Sequence, residues 1–465
     1  MIGALRRRTA EMDMCHGPIL GKMLLFAVTI LVSGFLNQLF HMADMAIAGQ
    51  FIGDSALAAV GSSGSLISLL TQLFAGLSIG TNVLAARYFG AKQEEQLRST
   101  IHTSVLVGVC GGVILMAVGT LSAGQLLIWM DTPKEILGSA VLYLQIYFLA
   151  MPATLMNQFI SGILLGIGDP TRSLRYSSLV GVINVFLNIL FVTVFRMGIA
   201  GIAGATVISA YVSMFLGVGY LCKKEGTLRL EIRKLRVDPK ILGMILRLGL
   251  PSSLRGIIFS FTNVVVQTAI NSFGEVIVAG DVAAANITNI VHMAMNSFYR
   301  AAIAFTSQNV GAEKHDRINR IAFTSVACAA VTGLITGGLA TIFGRPLLGI
   351  YTSSPEVIEA GMIRLYVVAT LYWMCGMMET IEGVLRGMGY AIVPTIVSLV
   401  GGSAVPLLFI GTVFQVEKLH TITFLYLNYP ITWVLTTSVH VICFLTIQRK
   451  NRISREKSRK NTKKI

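Results

Sequence analysis

An aspartate inside a long apolar run is the first feature of this sequence that could do chemistry. Asp44 follows Asn37 and His41, spacings that on an α-helix put all three side chains on one face. A charge at the centre of a bilayer costs about 2.5–3.5 kcal/mol on insertion scales, so an acid kept inside a span is a functional site by default. Its face must then point into the helix bundle or an aqueous cavity. Further along, Asn184 and Asn188 repeat the i, i+4 spacing and Thr206 follows. Carboxylate, amide and hydroxyl oxygens all suit a hard cation, and a carboxylate among amides can also take up a proton. Asp44, Asn184, Asn188, Thr206, His41 and Asn37 are therefore the candidate cation-coupling group, with Na⁺ at Asp44 as the metal that fits. The alternative is that Asp44 caps or braces a helix end near the periplasmic surface.

The second half has its own polar set: Arg255, Arg300, Glu379 and Glu382, with Asn263, Gln267, Asn286, Asn289 and Asn296. Glu382 and Arg386 stand at i, i+4 in the favourable order for a local ion pair near the cytoplasmic helix end. Glu379, a turn deeper, could pair with Arg255 or Arg300 or meet a cationic substrate, so Glu379, Arg255, Arg300, Asn263, Gln267 and Asn286 are the candidate substrate-binding residues. Of the 22 acids, Asp44, Glu379 and Glu382 are the ones expected inside spans. No HExxH, no intramembrane GxGD with a second aspartate and no paired Asp/His cluster is present, so a membrane enzyme is not expected. The six cysteines form no CxxC pair, which argues against a disulfide frame and a zinc site.

The elements that must position these groups follow from composition. Of 465 residues, 54% are hydrophobic, 13% are charged and mean hydropathy is +0.72, against about 25% charged in a typical soluble domain. Twelve apolar stretches run at roughly 19–48, 56–86, 98–122, 136–165, 172–195, 199–222, 241–272, 277–308, 318–343, 357–387, 391–414 and 419–447, each near the ~20 residues that span a bilayer. Strand alternation is absent, so the spans are helices rather than a barrel. The net charge of +15 sorts by loop: 30 of the 37 Lys and Arg, including Arg6, Arg7, Arg8, the run Lys223–Lys240 and the tail Arg449–Lys464, fall on one side of a twelve-span topology. The positive-inside rule then expects both termini in the cytoplasm of a multi-pass cell inner membrane protein. The basic N-terminus lacks a cleavage signal and reads as a retained cytoplasmic end.

A repeat with an offset of 221 residues orders the spans. Gly53 matches Gly274, Gly90-Ala91 matches Gly311-Ala312, Thr103-Ser104-Val105 matches Thr324-Ser325-Val326, and 162–168 (GILLGIG) matches 383–389 (GVLRGMG). Two six-span copies of like orientation are a common transporter plan. The expected organisation is a cytoplasmic N-terminus (1–18), a first lobe (19–222), a solvated linker (223–240), a second lobe (241–447) and a basic tail (448–465). In this register Asp44 corresponds to Val265 and Asn37 to Ile258, so the acidic face belongs to one copy alone. Pro152, Pro251, Pro394, Pro406 and Pro430 fall within spans and can bend them or serve static packing.

Over residues 17–447 the chain resembles the multidrug and toxic compound extrusion (MATE) transporters of bacteria. The resemblance rests on DMAIAGQFIGDSALAAVG (44–61), RYFGAK (87–92), HTS (102–104), TPKEI (132–136), YLQIYFLAMP (143–152), GIGD (166–169), INVFLN (183–188), GIAGATVIS (201–209), VLRGMGYAIVP (384–394) and YPITWVLT (429–436). It implies an all-α integral membrane protein of twelve transmembrane helices in two pseudo-symmetric six-helix lobes, which exports amphipathic, often cationic organic compounds in exchange for H⁺ or Na⁺. It also implies an acid at the position of Asp44, hydrogen-bonded to polar residues of the fifth and sixth helices at Asn184, Asn188 and Thr206. Two departures stand out. The seventh helix has no acid, and Cys375-Gly376 occupy the neighbourhood of the acid that some relatives use on the tenth for a second-lobe Na⁺ site, so that site is not carried over. Leu165 replaces an arginine common before the glycines of the first copy.

The expected partners are a small organic substrate and the lipid bilayer, with no nucleic acid, since the basic residues are dispersed over loops and a tail. The chain is expected to work as a monomer with no cofactor beyond the coupling ion. The competing reading is a lipid or lipid-linked glycan flippase of a related two-lobe fold, kept open by the three intramembrane arginines Arg255, Arg300 and Arg364.

Overall fold

The computed structural model describes residues 11–224 and 228–462. Arg6, Arg7 and Arg8 and the last residues of the tail, Lys463, Lys464 and Ile465, lie outside them. Among the described residues there are helices and no strands. Eleven helices are long and apolar enough to cross a membrane, and a bent pair makes a twelfth. They are α1 (Ile19–Ile52), α2 (Ser55–Gly90), α3 (Glu94–Trp129), α4 (Lys134–Phe148 with Met151–Gly166), α5 (Pro170–Val194), α6 (Ile199–Lys223), α7 (Pro239–Asn271), α8 (Glu275–Gly311), α9 (Asp316–Ile342), α10 (Pro355–Gly387), α11 (Ile392–Gln415) and α12 (Ile422–Ile453). Leu121, Phe215, Phe261, Phe323 and Ile342 stand well exposed on these helices, as side chains that meet hydrocarbon must. This is an all-α, multi-pass membrane protein.

Several spans are irregular where the sequence suggested a bend. The 52° break in α4 falls just before Pro152, whose ring cannot continue a regular hydrogen-bond ladder. Pro251 and Pro430, by contrast, sit inside continuous helices. Wide π-type turns occur at Ala48–Ile52, Leu190–Val194, Leu365–Ala369 and Val400–Ala404, and such turns concentrate at functional sites.

The duplication is visible in the backbone. Positive φ angles recur in register at Gly53 (118°) and Gly274 (90°), at Lys92 (55°) and Glu313 (56°), and at Gly168 (87°) and Gly389 (94°). By packing, the residues form two compact units: one through Ile257 with Ser307–His315, the other Ile258–Thr306 with Asp316 onward. Within the first unit a Cβ on Gly90 would lie 2.1 Å from the carbonyl oxygen of Gln308, and one on Gly311 would lie 1.9 Å from that of Arg87. Arg87 and Gln308 are themselves repeat partners, so the crossing is reciprocal.

The linker is not simply solvated. Leu228 and Leu230 are buried against Leu97, Ile101 and Leu221, the Glu231 amide donates to His102 Nε2 (3.3 Å), and the Asp238 amide donates to Thr103 Oγ1 (3.1 Å). The HTS segment thus docks the linker onto the start of α3. Nor is the N-terminal stretch simply a free end. Met14 is fully buried, Met12 bonds Gly168 at 3.0 Å, and Asn309 Nδ2 donates to the Met14 carbonyl at 3.0 Å.

Candidate functional site

Helices α1 and α5 lie side by side in the first unit, and a glycine sets how close they come. A Cβ on Gly181 would fall 1.9 Å from the ring of Phe40, so no larger residue fits there without displacing that ring. That approach brings Asp44 to α5, where Asn188 Nδ2 donates to Asp44 Oδ1 at 2.5 Å and lies 3.3 Å from Asn184 Oδ1. Asn184 and Asn188 are buried. Asn188 Oδ1 is buried with no hydrogen-bond partner, an unusual state for a native polar atom. The Asn188 amide N–H₂ thus bridges the Asp44 carboxylate and the Asn184 amide oxygen, while its own oxygen is left unspent. A π turn follows both Asp44 and Asn188 within about one helical turn, and the two turns touch.

The rest of the expected group is arranged differently. Asn37 and His41 lie on the same helix but are exposed and make no side-chain hydrogen bond among the described residues. Thr206 Oγ1 bonds the Ile202 carbonyl of its own helix at 3.1 Å rather than Asp44, a local bond open to any helical threonine. Two residues that sequence reasoning missed stand near instead. Tyr143 and Tyr147 of α4 lie within electrostatic range of Asp44, their rings 6.0 Å apart. Their i, i+4 spacing in YLQIYFLAMP was the available signal.

In the second unit Glu382 and Arg386 are joined by bonds of 2.8 Å from Nε and 2.6 Å from Nη2, both to Oε1, and are almost completely buried. Ser398 donates to Glu382 Oε2 and Arg386 donates to Thr395, each at 3.0 Å, so the pair ties α10 to α11. Glu379 meets His292 Nε2, which stands 3.1 Å from each carboxylate oxygen, and Asn296 Nδ2 at 3.4 Å. Arg300 Nε donates to Asn296 Oδ1 at 3.3 Å. Sequence reasoning overlooked His292 beside Glu379, although His292, Asn296 and Arg300 mark one face of α8 by their spacing. Asn263 is exposed, Gln267 donates to Asn271 (3.1 Å), and Asn286 donates to the Val282 carbonyl (3.1 Å), so none of the three joins the Glu379 cluster. Arg255 belongs to the first unit.

A fourth intramembrane acid corrects the expected three. Asp281 is buried two turns into α8, with Arg364 Nη1 at 2.5 Å and Tyr426 OH at 2.7 Å from its Oδ1. The arginine lies over the Tyr426 and Tyr429 rings, 5.8 and 6.0 Å from their centroids. An acid near a helix end is unremarkable in sequence, and only the tertiary partners show that Asp281 is buried and paired. Outside the membrane Asp169 caps α5 and pairs with Arg172 at 2.7 Å, a structural use of the GIGD segment. All six cysteines are free thiols.

Apolar spans holding buried carboxylates on amides, a histidine and arginines define a multi-pass membrane protein equipped as transporters are. The MatE family model matches residues 29–190 and 251–409, and the chain belongs to that family of multidrug efflux transporters. The probable multidrug resistance protein YoeA of Bacillus subtilis (strain 168) is 28% identical over 398 residues, 83% of this chain and 86% of the relative. The probable multidrug resistance protein NorM of Thermotoga maritima is 25% identical over 373 residues, 78% and 79% of the two chains. Among solved structures, an outward-facing MATE family transporter of the MOP superfamily matches with a TM-score of 0.85 at 20% identity, over 97% of this chain and 99% of that one. A MOP superfamily transporter from Pyrococcus furiosus matches with a TM-score of 0.87 at 20% identity, over 94% and 97%. At that identity the likeness to the structures is one of fold.

Proposed function

We propose that this protein is a secondary active exporter that exchanges amphipathic or cationic organic compounds for H⁺ or Na⁺ by alternating access, with Asp44, Asn184 and Asn188 as the coupling site. The observation that carries the reading is the Asp44–Asn188 bond beside an unspent amide oxygen. Cation uptake at Asp44 from outside reseats α1, substrate leaves outward, and release of the cation inward resets the helix. A ligand drives this cycle only through unequal affinity for the two states, and the touching π turns after Asp44 and Asn188 are where α1 and α5 can yield. The protein works as a monomer in the inner membrane with both termini cytoplasmic. The flippase reading loses support because one of its three arginines, Arg364, is already engaged by Asp281.

The test is uptake of a fluorescent organic cation into inverted vesicles under an imposed proton gradient or an imposed sodium gradient. One gradient is expected to drive uptake, and Asp44→Asn to abolish it with the protein still folded in the membrane. Full transport by that variant defeats the assignment of Asp44. Lipid scrambling with no response to either gradient favours the flippase.

A further inference from the structure

The segment that joins the two copies carries a surface for which transport at Asp44 has no use. Its Leu228 and Leu230 are buried, while Arg229, Arg233, Lys234 and Arg236 are exposed. Two apolar side chains, Ile232 at 61% and Val237 at 43% exposure, stand among those cations. The acids of the segment are turned to local tasks. Glu231 meets Lys234 at 2.7 Å and Arg98 at 3.4 Å, and Asp238 Oδ1 accepts from the Lys240 and Ile241 amides at 2.9 and 3.4 Å, where α7 begins. The outward side is therefore positive, with two apolar points.

The docking of the segment on α3 fixes the height of this surface along the span. Leu228 and Leu230 pack on Leu97 and Ile101, and His102 and Thr103 hold the Glu231 and Asp238 amides. α3 has 36 residues, about 54 Å at the helical rise, which exceeds a hydrocarbon core of about 30 Å by about 24 Å. A centred helix then carries its first eight or so residues, about 12 Å, at headgroup depth. The residue types agree: Glu94, Glu95, Arg98 and His102 come first, and the apolar run starts at Val105. At that depth long cationic side chains reach phosphates while short apolar ones reach the acyl boundary.

We propose that this segment is a docking surface for anionic phospholipid headgroups, with Arg229, Arg233, Lys234 and Arg236 on the phosphates and Ile232 and Val237 inserted at the acyl boundary. Each cation near an anionic leaflet strengthens association about fivefold, so the four together favour an anionic over a zwitterionic surface by about 600-fold. The two apolar points favour a bilayer over an acidic protein, because a bilayer offers phosphate and hydrocarbon within one side chain's length. The surface is held to α3 on one side and leads into α7 on the other, so bound lipid steadies the entry to the second copy. The proposal rests on the cytoplasmic placement given above for both termini, and not on the coupling ion or the substrate.

The experiment uses the full-length protein in lipid nanodiscs, with a tryptophan placed at one apolar point by Ile232→Trp and, in a second chain, at the other by Val237→Trp. The lipid is acyl-brominated phosphatidylcholine, which quenches tryptophan, either alone or with about one-third phosphatidylglycerol. The wild type, with its three tryptophans, is subtracted as background. In the anionic bilayer the added tryptophan is expected to lose about half of its fluorescence or more. That loss is expected to shrink to about a tenth in phosphatidylcholine alone, and likewise in about 0.5 M NaCl, where screening confines the attraction to about 4 Å. Adding Arg233→Gln, Lys234→Gln and Arg236→Gln to Ile232→Trp removes about 100-fold of the association and should abolish the quenching. Equal quenching in the two bilayers overturns the proposal, and so does the absence of quenching at both positions. Emission that shifts with polyglutamate and not with phosphatidylglycerol assigns the surface to an acidic protein and overturns it as well. Tryptic cutting of the segment from outside intact cells is what separately defeats the cytoplasmic placement.

Discussion

Removing the arginine of the Glu382–Arg386 pair should be among the most damaging single changes in the second unit. Glu382 is 0% exposed and Arg386 1%. In Arg386→Met the carboxylate keeps Ser398 as a donor but loses both guanidinium bonds, at 2.8 and 2.6 Å. Stranding one member of a buried ion pair costs about 3–5 kcal/mol, which is roughly two to three and a half orders of magnitude in the folding equilibrium. Arg386→Lys keeps the charge but not the planar fork, so an intermediate loss is expected. The double variant Glu382→Met/Arg386→Leu removes both charges, and the hydroxyls of Thr395 and Ser398 can turn back to carbonyls of their own helix. Well-packed apolar replacements of a buried pair are often neutral, so the double variant should recover most of the loss. The assay is the midpoint of heat-induced aggregation of detergent-purified protein, followed by size-exclusion chromatography. An Arg386→Met midpoint equal to wild type, or a double variant no better than the worse single, would refute the reasoning.

Three further outcomes follow from named contacts. Asn188→Ala removes the amide that orients Asp44, and a hydrogen bond to a charged group is worth about 1.5–3 kcal/mol, so cation-driven uptake in vesicles should fall by about 10- to 100-fold; Asn184→Ala should cost less. Gly181→Ala pushes a methyl into the Phe40 ring and should impair transport by parting α1 from α5, with Phe40→Ala in the same chain restoring it; unimpaired transport by Gly181→Ala alone would count against the close approach. Leu228→Asp with Leu230→Asp, both buried at under 5% exposure, should free the linker and speed tryptic cleavage at Arg229 and Arg233 by about tenfold or more, read on a gel time course.

How much of the site was legible depended on whether its geometry is local. Asp44 was visible because a lone acid in an apolar span has to be explained by function, and Glu382 with Arg386 because partners at i, i+4 meet on any helix. Asp281 was passed over because an acid near a helix end is unremarkable until Arg364, 83 residues away, is seen beside it. His292 carried the same face signal as Asn296 and Arg300, yet nothing in the sequence paired it with Glu379. Thr206 occupies a matching motif position, but its hydroxyl bonds its own helix, a choice that sequence position does not decide.

The sequence by itself determined the class of molecule. Twelve apolar stretches, a one-sided distribution of positive charge and a duplication in a single register are properties of composition and order, and in a bilayer backbone hydrogen bonding leaves helices as the only outcome for such stretches. The repeat register extended even to backbone angles, since turns at equivalent positions face equivalent constraints. Tertiary structure alone decided which helices touch and how closely. Gly181 against Phe40 brings Asp44 to Asn188, the reciprocal glycines Gly90 and Gly311 draw the ends of α2 and α8 together, and the buried face of the linker finds α3 through His102 and Thr103. Those outcomes depend on packing between residues distant in the chain, where a single methyl group is enough to exclude a contact.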